Sequence, residues 1–217
     1  MVARTAGVAR RRSPERRSRI LAAALSCFNE HGFSATTIEE VCRRSGASVG
    51  SIYHHFGGKE GLASALYVQG LEDYQRGFLA VLDRQREAES GIKGIVRHHL
   101  RWVVRHRELA RFLLNRRETE LVLATQSRVH ELNQHLFAQT ERWRQPHVEG
   151  GRLLPLSLDL FYTVLIGPAQ DFSRTWVHGR SASSMAEAEK ALPEAAWRAL
   201  RRPSSDPLGR SGEFSTA

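Results

Sequence analysis

The chain has 217 residues, of which 41% are apolar and 25% charged, and its net charge is +9. This composition is typical of a folded globular protein and argues against a fibrous or wholly disordered chain. No segment approaches the roughly 20 apolar residues that a membrane-spanning helix needs, and no export signal with a cleavage site is present. Two cysteines form no disulfide framework or zinc site. We therefore expect a cytoplasmic protein with no membrane partner and no cofactor.

The positive charge is concentrated at the N-terminus. Seven of the first 19 residues are arginines and one is a glutamate. Small residues separate these arginines up to Pro14, so residues 1–13 are predicted to be a flexible basic arm. Such arms bind nucleic acids by releasing condensed counterions. The alternative is a solvated tail that contributes only to solubility.

Apolar residues recur with the period of a helix through almost the whole chain, and strand patterns are absent. The sequence therefore predicts an all-α protein. Its helices are expected over residues 14–31, 36–45, 49–56, 59–90 with a gradual end over 84–90, 92–115 with a break near 107–108, 118–144, 156–178 and 182–202.

Residues that start or stop helices set most of these bounds. Thr36 or Thr37 begins the second helix through a capping box, and Ser48 caps the third. Gly91 is expected to end the fourth helix, residues 145–152 to form a loop, and Pro193 to interrupt the last helix.

The second and third helices are short and closely spaced, which is typical of a helix-turn-helix. Gly46 can adopt the positive φ that ends a helix sharply, and the small Ala47 lets the two helices approach. The third helix carries small or polar residues on its outer face, which can reach the edges of bases. These residues are Ser48, Gly50, Ser51 and His54, and the side chains suited to phosphates are Thr37, Tyr53 and Lys59.

Residues 32–41 and 45–62 resemble the DNA-binding domain of TetR-type transcriptional regulators. The resemblance is carried by the spacing of Gly46, Ser48, Gly50 and Tyr53 and continues to Lys59. It extends over residues 14–62, and residues 167–180 resemble more weakly the eighth helix of such regulators.

The resemblance implies a homodimer with an N-terminal three-helix helix-turn-helix DNA-binding domain and a C-terminal helical ligand-binding and dimerisation domain. The expected divisions are an arm over 1–13, a DNA-binding domain over 14–60 that continues into helix four to about 74, a second domain over 61–202, and a disordered tail over 203–217. The implied function is that of a repressor that a small molecule releases from a pseudo-palindromic operator. By position, the base and phosphate contacts of the family correspond to the seven residues named above.

The effector pocket of this family lies among the C-terminal helices. Apolar, aromatic and polar side chains there are candidates for lining it. They are His99, Trp102, Phe112, Phe137, Phe161, Tyr162 and Gln170. The alternative for each aromatic residue is a place in the hydrophobic core.

The sequence contains no catalytic triad, nucleotide-binding loop or metal-ligand cluster, so we predict no enzyme and no metal site. Two other functions remain open. A non-specific DNA-binding protein would rely on the basic arm alone. A helical carrier or enzyme with a vestigial helix-turn-helix would bind no specific DNA.

Overall fold

The computed structural model describes residues 3–114 and 126–203, with side chains from residue 14 in the first range and from residue 127 in the second. The described residues are helical, with no strand beyond one isolated bridge between Leu153 and Arg201. The prediction of an all-α fold is confirmed. In chain order the helices are α1 Ala3–Ala35, α2 Ile38–Ser45, α3 Val49–Phe56, α4 Lys59–Arg84, α5 Ala88–Arg105, α6 Arg107–Leu113, α7 Gln126–Glu149, α8 Leu158–Val177 and α9 Met185–Leu200.

The first helix is longer than the sequence predicted. Its backbone is helical from Ala3, so residues 3–13 continue α1 instead of forming a flexible arm. Seven of these eleven residues are alanine or arginine, which favour helix strongly enough to extend it beyond the start expected at Pro14. At the other end, Gly32 has a positive φ of 79°, at the predicted end of the helix.

Three predicted helix ends are wrong because tertiary packing overrides the local signal. Gly91 lies inside α5, where a Cβ would overlap the ring of Trp143, so glycine permits close packing there and does not end a helix. Helix α7 continues through Pro146 to Glu149, and Val148 in this last turn packs against the core. Helix α9 passes through the buried Pro193 without interruption. The break between α5 and α6 at His106 and the start of α4 at Lys59 are confirmed.

Two large hydrophobic clusters organise these helices. One is formed by the helices α1, α2, α3 and α4 and includes Ile20, Phe28 and Ile52, with Phe112 from α6. The other joins α4, α5, α7, α8 and α9 and includes Ile95 and Phe161. Helix α4 contributes to both clusters, so it connects the helix-turn-helix to the C-terminal helices. The predicted tail lies, apart from Pro203, outside the described residues, as does the predicted start of the sixth helix at 118.

Candidate nucleic-acid interface

Helix α2 begins after Thr37, the second of the two threonines that could cap it. The side chain of Thr37 accepts a hydrogen bond from the backbone N–H of Glu40 at 3.2 Å, which makes Thr37 the N-cap. The helix ends at Gly46, whose φ of 68° is left-handed and whose N–H donates to the carbonyl of Cys42. Thr37 is exposed at a helix N-terminus, where free N–H groups favour an anion such as a phosphate.

Helix α3 follows after the short turn Gly46, Ala47 and Ser48, as the sequence predicted. The hydroxyl of Ser48 accepts a hydrogen bond from the N–H of Ser51 at 3.2 Å and caps the helix. Ile52 is fully buried and fixes the inner face of α3 against the N-terminal cluster. A single buried anchor on so short a helix leaves the opposite face directed to solvent.

The exposed face of α3 contains the predicted base-reading residues. Ser48, Gly50 and His54 are exposed, Ser51 is half-buried, and Tyr53 has 54% of its surface exposed. A Cβ at Gly50 would meet no atom within 4 Å, so packing within the chain does not require glycine there. This face can approach another molecule closely, and five of the seven predicted contact residues lie on it.

Lys59 has a different environment. Its ammonium donates hydrogen bonds to the carbonyls of Phe33, Ser34 and Thr36 at 3.0, 3.2 and 3.0 Å, and it lies 4.7 Å from the centre of the Phe33 ring. These three bonds use all the donors of an ammonium group. Lys59 therefore holds the connection between α1 and α2 against the start of α4 in this structure, and it positions Thr37.

An ion-pair network that the sequence analysis missed fixes α2 on α1. The Arg44 guanidinium donates to both carboxylate oxygens of Glu30 at 2.7 Å and to Glu40 at 2.8 Å. The bidentate hydrogen bond from Arg44 lowers the pKa of Glu30 to about 2. Glu30 and Arg44 are 14 residues apart, so no helical spacing rule indicates the pair.

Comparison with known proteins agrees with this geometry. Residues 20–66 match the family model for bacterial regulatory proteins of the tetR family. The chain is 40% identical over 76 residues to the HTH-type transcriptional regulator UidR of Escherichia coli, a match that covers 35% of each protein. It is 33% identical over 134 residues to the HTH-type transcriptional repressor Rv1474c of Mycobacterium tuberculosis, which covers 55% of this chain and 67% of the relative. The chain belongs to the TetR family.

In sequence, the chain matches only about a third of the length of UidR. In fold, the agreement with TetR-family structures extends over almost the whole chain. The crystal structure of a TetR family transcription regulator from Marinobacter aquaeolei has a TM-score of 0.73. It is 20% identical and covers 89% of this chain and 100% of that one. This likeness shows a shared fold, and the predicted family is confirmed.

The TetR helix-turn-helix is also joined to the C-terminal helices through α6, which packs against α5 and α8. The side-chain amide of Asn29 donates to the carbonyl and the carboxylate of Glu108 at 2.9 and 3.0 Å. The rings of Phe28 and Phe112 stack with centroids 5.7 Å apart. Phe112, a predicted pocket residue, therefore lies in the N-terminal core at this junction.

The other predicted pocket residues lie at several places among the C-terminal helices. Phe161 is fully buried in the core, and Phe137 is 41% exposed with its ring against Tyr162. Burial raises the pKa of Tyr162 to about 12, and its hydroxyl bonds to Thr140. Gln170 is half-buried on α8.

His99 and Trp102 lie together beside Tyr74. The ring nitrogens of His99 lie 3.2 Å from the Tyr74 hydroxyl and 3.1 Å from the Ser173 hydroxyl, and burial lowers its pKa to about 4. The Trp102 indole N–H donates to Asp73 at 2.8 Å, and its ring meets that of Tyr74 edge-on. This buried polar cluster joins α4, α5 and α8, and sequence spacing did not reveal its partners.

Two further findings concern the part of the chain that the structure describes. No group of three or more His, Cys, Asp or Glu side chains there could hold a metal ion. None of its helices combines the length and the apolarity needed to cross a membrane.

Proposed function

We propose that this protein is a sequence-specific DNA-binding transcriptional regulator. In this proposal it is a homodimeric repressor that a small molecule releases from a pseudo-palindromic operator, and it acts in the cytoplasm. The observation that carries the proposal is the exposed polar face of α3, held outward by the caps at Thr37 and Ser48 and by the buried Ile52.

The dimensions of α3 fit the major groove. With its side chains an α-helix is about 10–12 Å across, and the major groove of B-DNA is about 12 Å wide, so α3 can enter it. In helix-turn-helix proteins the N-terminal residues of this helix contact base edges. Here those residues are Ser48, Gly50 and Ser51, with His54 one turn further along. Thr37 and Tyr53 flank them and are assigned to phosphates.

Homodimer formation would place two copies of α3 about one helical turn of DNA apart, about 34–36 Å. The surface formed by α8 and α9 supports such an assembly. Leu160 on α8 is 51% exposed, and α5, α8 and α9 enclose an apolar cavity of about 360 Å³ lined by small residues such as Ala195 and Ala199. A second copy packed on this surface would remove apolar area from water.

The test measures binding of the full chain to duplexes from the promoter region of its own gene by fluorescence anisotropy, against a scrambled duplex and across a salt series. His54→Ala and Tyr53→Ala should weaken specific binding at least about fivefold, since a base or phosphate contact contributes about 1–3 kcal/mol. His178→Ala is the matched control, because His178 is also exposed but lies outside the helix-turn-helix.

Lys59 variants are unsuitable for this test because Lys59 holds the α1–α2 connection. Equal affinity for both duplexes, with all of it lost as salt rises, would replace this proposal with non-specific binding. Absence of binding to either duplex would favour a helical carrier or enzyme. A release of bound DNA by fractionated small metabolites would identify the effector class.

A further inference from the structure

A long groove lies between α4 and α5, on a part of the molecule that operator binding does not use. Its walls are residues 73–85 and 87–106, and residues 151–152 and 201–202 close one end. We call this the basic groove. Its volume is about 1340 Å³, larger than the roughly 300–1,000 Å³ of ordinary small-molecule sites. Among the described residues, nine lysines and arginines line it against three carboxylates.

One wall is a regular stripe of cations on α5. Lys93, Arg97, Arg101 and Arg105 follow one another at intervals of four residues, so they lie on one face of the helix. At 1.5 Å per residue the stripe is about 18 Å long. A ligand that matches this stripe is elongated and carries negative charge at several points.

The closed end is assembled by tertiary structure. The backbone N–H of Arg202 donates to the carbonyl of Arg152 at 2.9 Å, and Leu153 pairs with Arg201 in the isolated bridge. These bonds bring Arg152, Arg201 and Arg202 together from two segments almost 50 residues apart. Arg84, the last residue of α4, lines the same end.

Most of these cations have no acidic partner. Lys93 is paired with Glu89 and Glu194, Arg101 with Glu189, and Arg76 with Asp73. Six groove arginines have no carboxylate within 4 Å among the described residues. They are Arg84, Arg97, Arg105, Arg152, Arg201 and Arg202.

Gathering like charges in one concavity costs free energy and focuses a positive potential. An anionic ligand would offset that cost. Arginine is also the side chain whose planar fork binds a phosphate through two parallel hydrogen bonds.

We infer that the basic groove is a binding site for a small molecule that carries a chain of phosphate groups. A linear anion matches the stripe on α5, and the arginines at the closed end hold its terminal phosphate. The cations converge on one depression from α4, α5 and the segments at 151–152 and 201–202, which favours a compact anion over a DNA duplex. This inference goes beyond the proposed function and does not depend on it.

The test is isothermal titration of the full chain, without DNA, with sodium tripolyphosphate as the probe. The double variant Arg152→Gln/Arg202→Gln should raise the Kd at least about tenfold, because each charge-assisted bond contributes more than a neutral one. Arg97→Gln should raise it by a smaller factor. The matched control is Arg142→Gln/Arg180→Gln, which removes the same charge from two exposed arginines outside the groove and should change the Kd less than about twofold.

Four results would overturn the inference. The first is no heat of binding at low salt, and the second is an equal loss of tripolyphosphate affinity in the groove and control variants. The third is a loss of that affinity in Tyr53→Ala but not in the groove variants. The fourth is a groove variant that weakens binding of a random duplex but not of tripolyphosphate. Thermal unfolding of each variant verifies folding. Arg152→Lys/Arg202→Lys, which keeps the charge but not the fork, should give an intermediate Kd.

Discussion

The N-terminal and C-terminal parts of the molecule differ in how their buried polar side chains find partners. In the helix-turn-helix the buried ones bond to backbone close in sequence, as Ser45 does to the carbonyl of Val41 and Thr36 to the carbonyl of Gly32. In the C-terminal part they join distant elements. His99 lies against Ser173, 74 residues away, and Gln75 donates to Asn133, 58 residues away.

This difference determines where each region can present a surface. Local caps, together with the contacts of Lys59 and Arg44, fix the helix-turn-helix with few buried polar groups, so its outer face is free to contact DNA. The C-terminal helices bury His99, Arg144 and Thr140, and each of these needs a partner because an unpaired polar group in the interior is costly. The arrangement of the C-terminal part therefore depends on packing as a whole.

The strongest test of this contrast is a core substitution among the long-range contacts. Phe161→Ala should lower the free energy of unfolding by about 3–5 kcal/mol, since it removes a fully buried ring and leaves a cavity. Phe137→Ala is the control, because this exposed ring contacts the same Tyr162 and its loss should cost less than about 1 kcal/mol. Urea denaturation at one protein concentration measures both, and equal losses would contradict the assignment of Phe161 to the core.

The buried His99 makes the C-terminal region sensitive to acid. Burial, and then the charge of His98, lowers the pKa of His99 to about 4 in the folded state, against about 6.5 in an unfolded chain. Below about pH 6.5 the unfolded state binds a proton that the folded state does not, so stability falls as the pH decreases toward 4. Between pH 7 and about pH 4.5 the wild type should lose about 2–3 kcal/mol more than His99→Gln. A parallel pH dependence for the two proteins would show that His99 titrates normally.

Gly91 and Gly50 differ in their surroundings: Gly91 lies close against Trp143, whereas Gly50 lies on an open surface. Gly91→Ala should destabilise the fold by about 1–3 kcal/mol, because the new methyl overlaps Trp143. Gly50→Ala should stabilise the protein by up to about 1 kcal/mol, since the site is open and alanine favours helix. The same Gly50 variant should bind operator DNA more weakly. Thermal unfolding and anisotropy together measure this, and a stabilised Gly91 variant would refute the packing argument.

The smallest expected effect concerns helix N-caps, which occur in both regions. Ser48 caps α3 and Ser184 caps α9 through a capping box with Glu187. Ser48→Ala and Ser184→Ala should each cost about 1 kcal/mol in chemical denaturation, because a cap depends only on its own helix. Only the Ser48 variant should also lose affinity for DNA. A much larger cost at Ser184 would mean that caps in the C-terminal region have further tertiary roles.

The sequence predicted the parts of the candidate site that depend on short-range signals. The caps at Thr37 and Ser48, the turn at Gly46 and the start of α4 are confirmed as predicted. It failed where the same residue types serve packing, as with Gly91 against Trp143 and Pro193 inside α9. It also assigned Lys59 to a phosphate without revealing the three carbonyls that hold it.

The sequence alone determined the helical class, the helix-turn-helix, the family and the excess of positive charge. The helical class, the helix-turn-helix and the charge follow from residue types a few positions apart or from composition, and the family follows from the resemblance of residues 14–62 to known regulators. Only the tertiary structure decided that Arg44 joins Glu30, that His99 meets Ser173, and that Arg152 lies beside Arg202. Those partners are separated by 14 to 74 residues, and which of them meet depends on how complete helices pack, a choice that no local propensity contains.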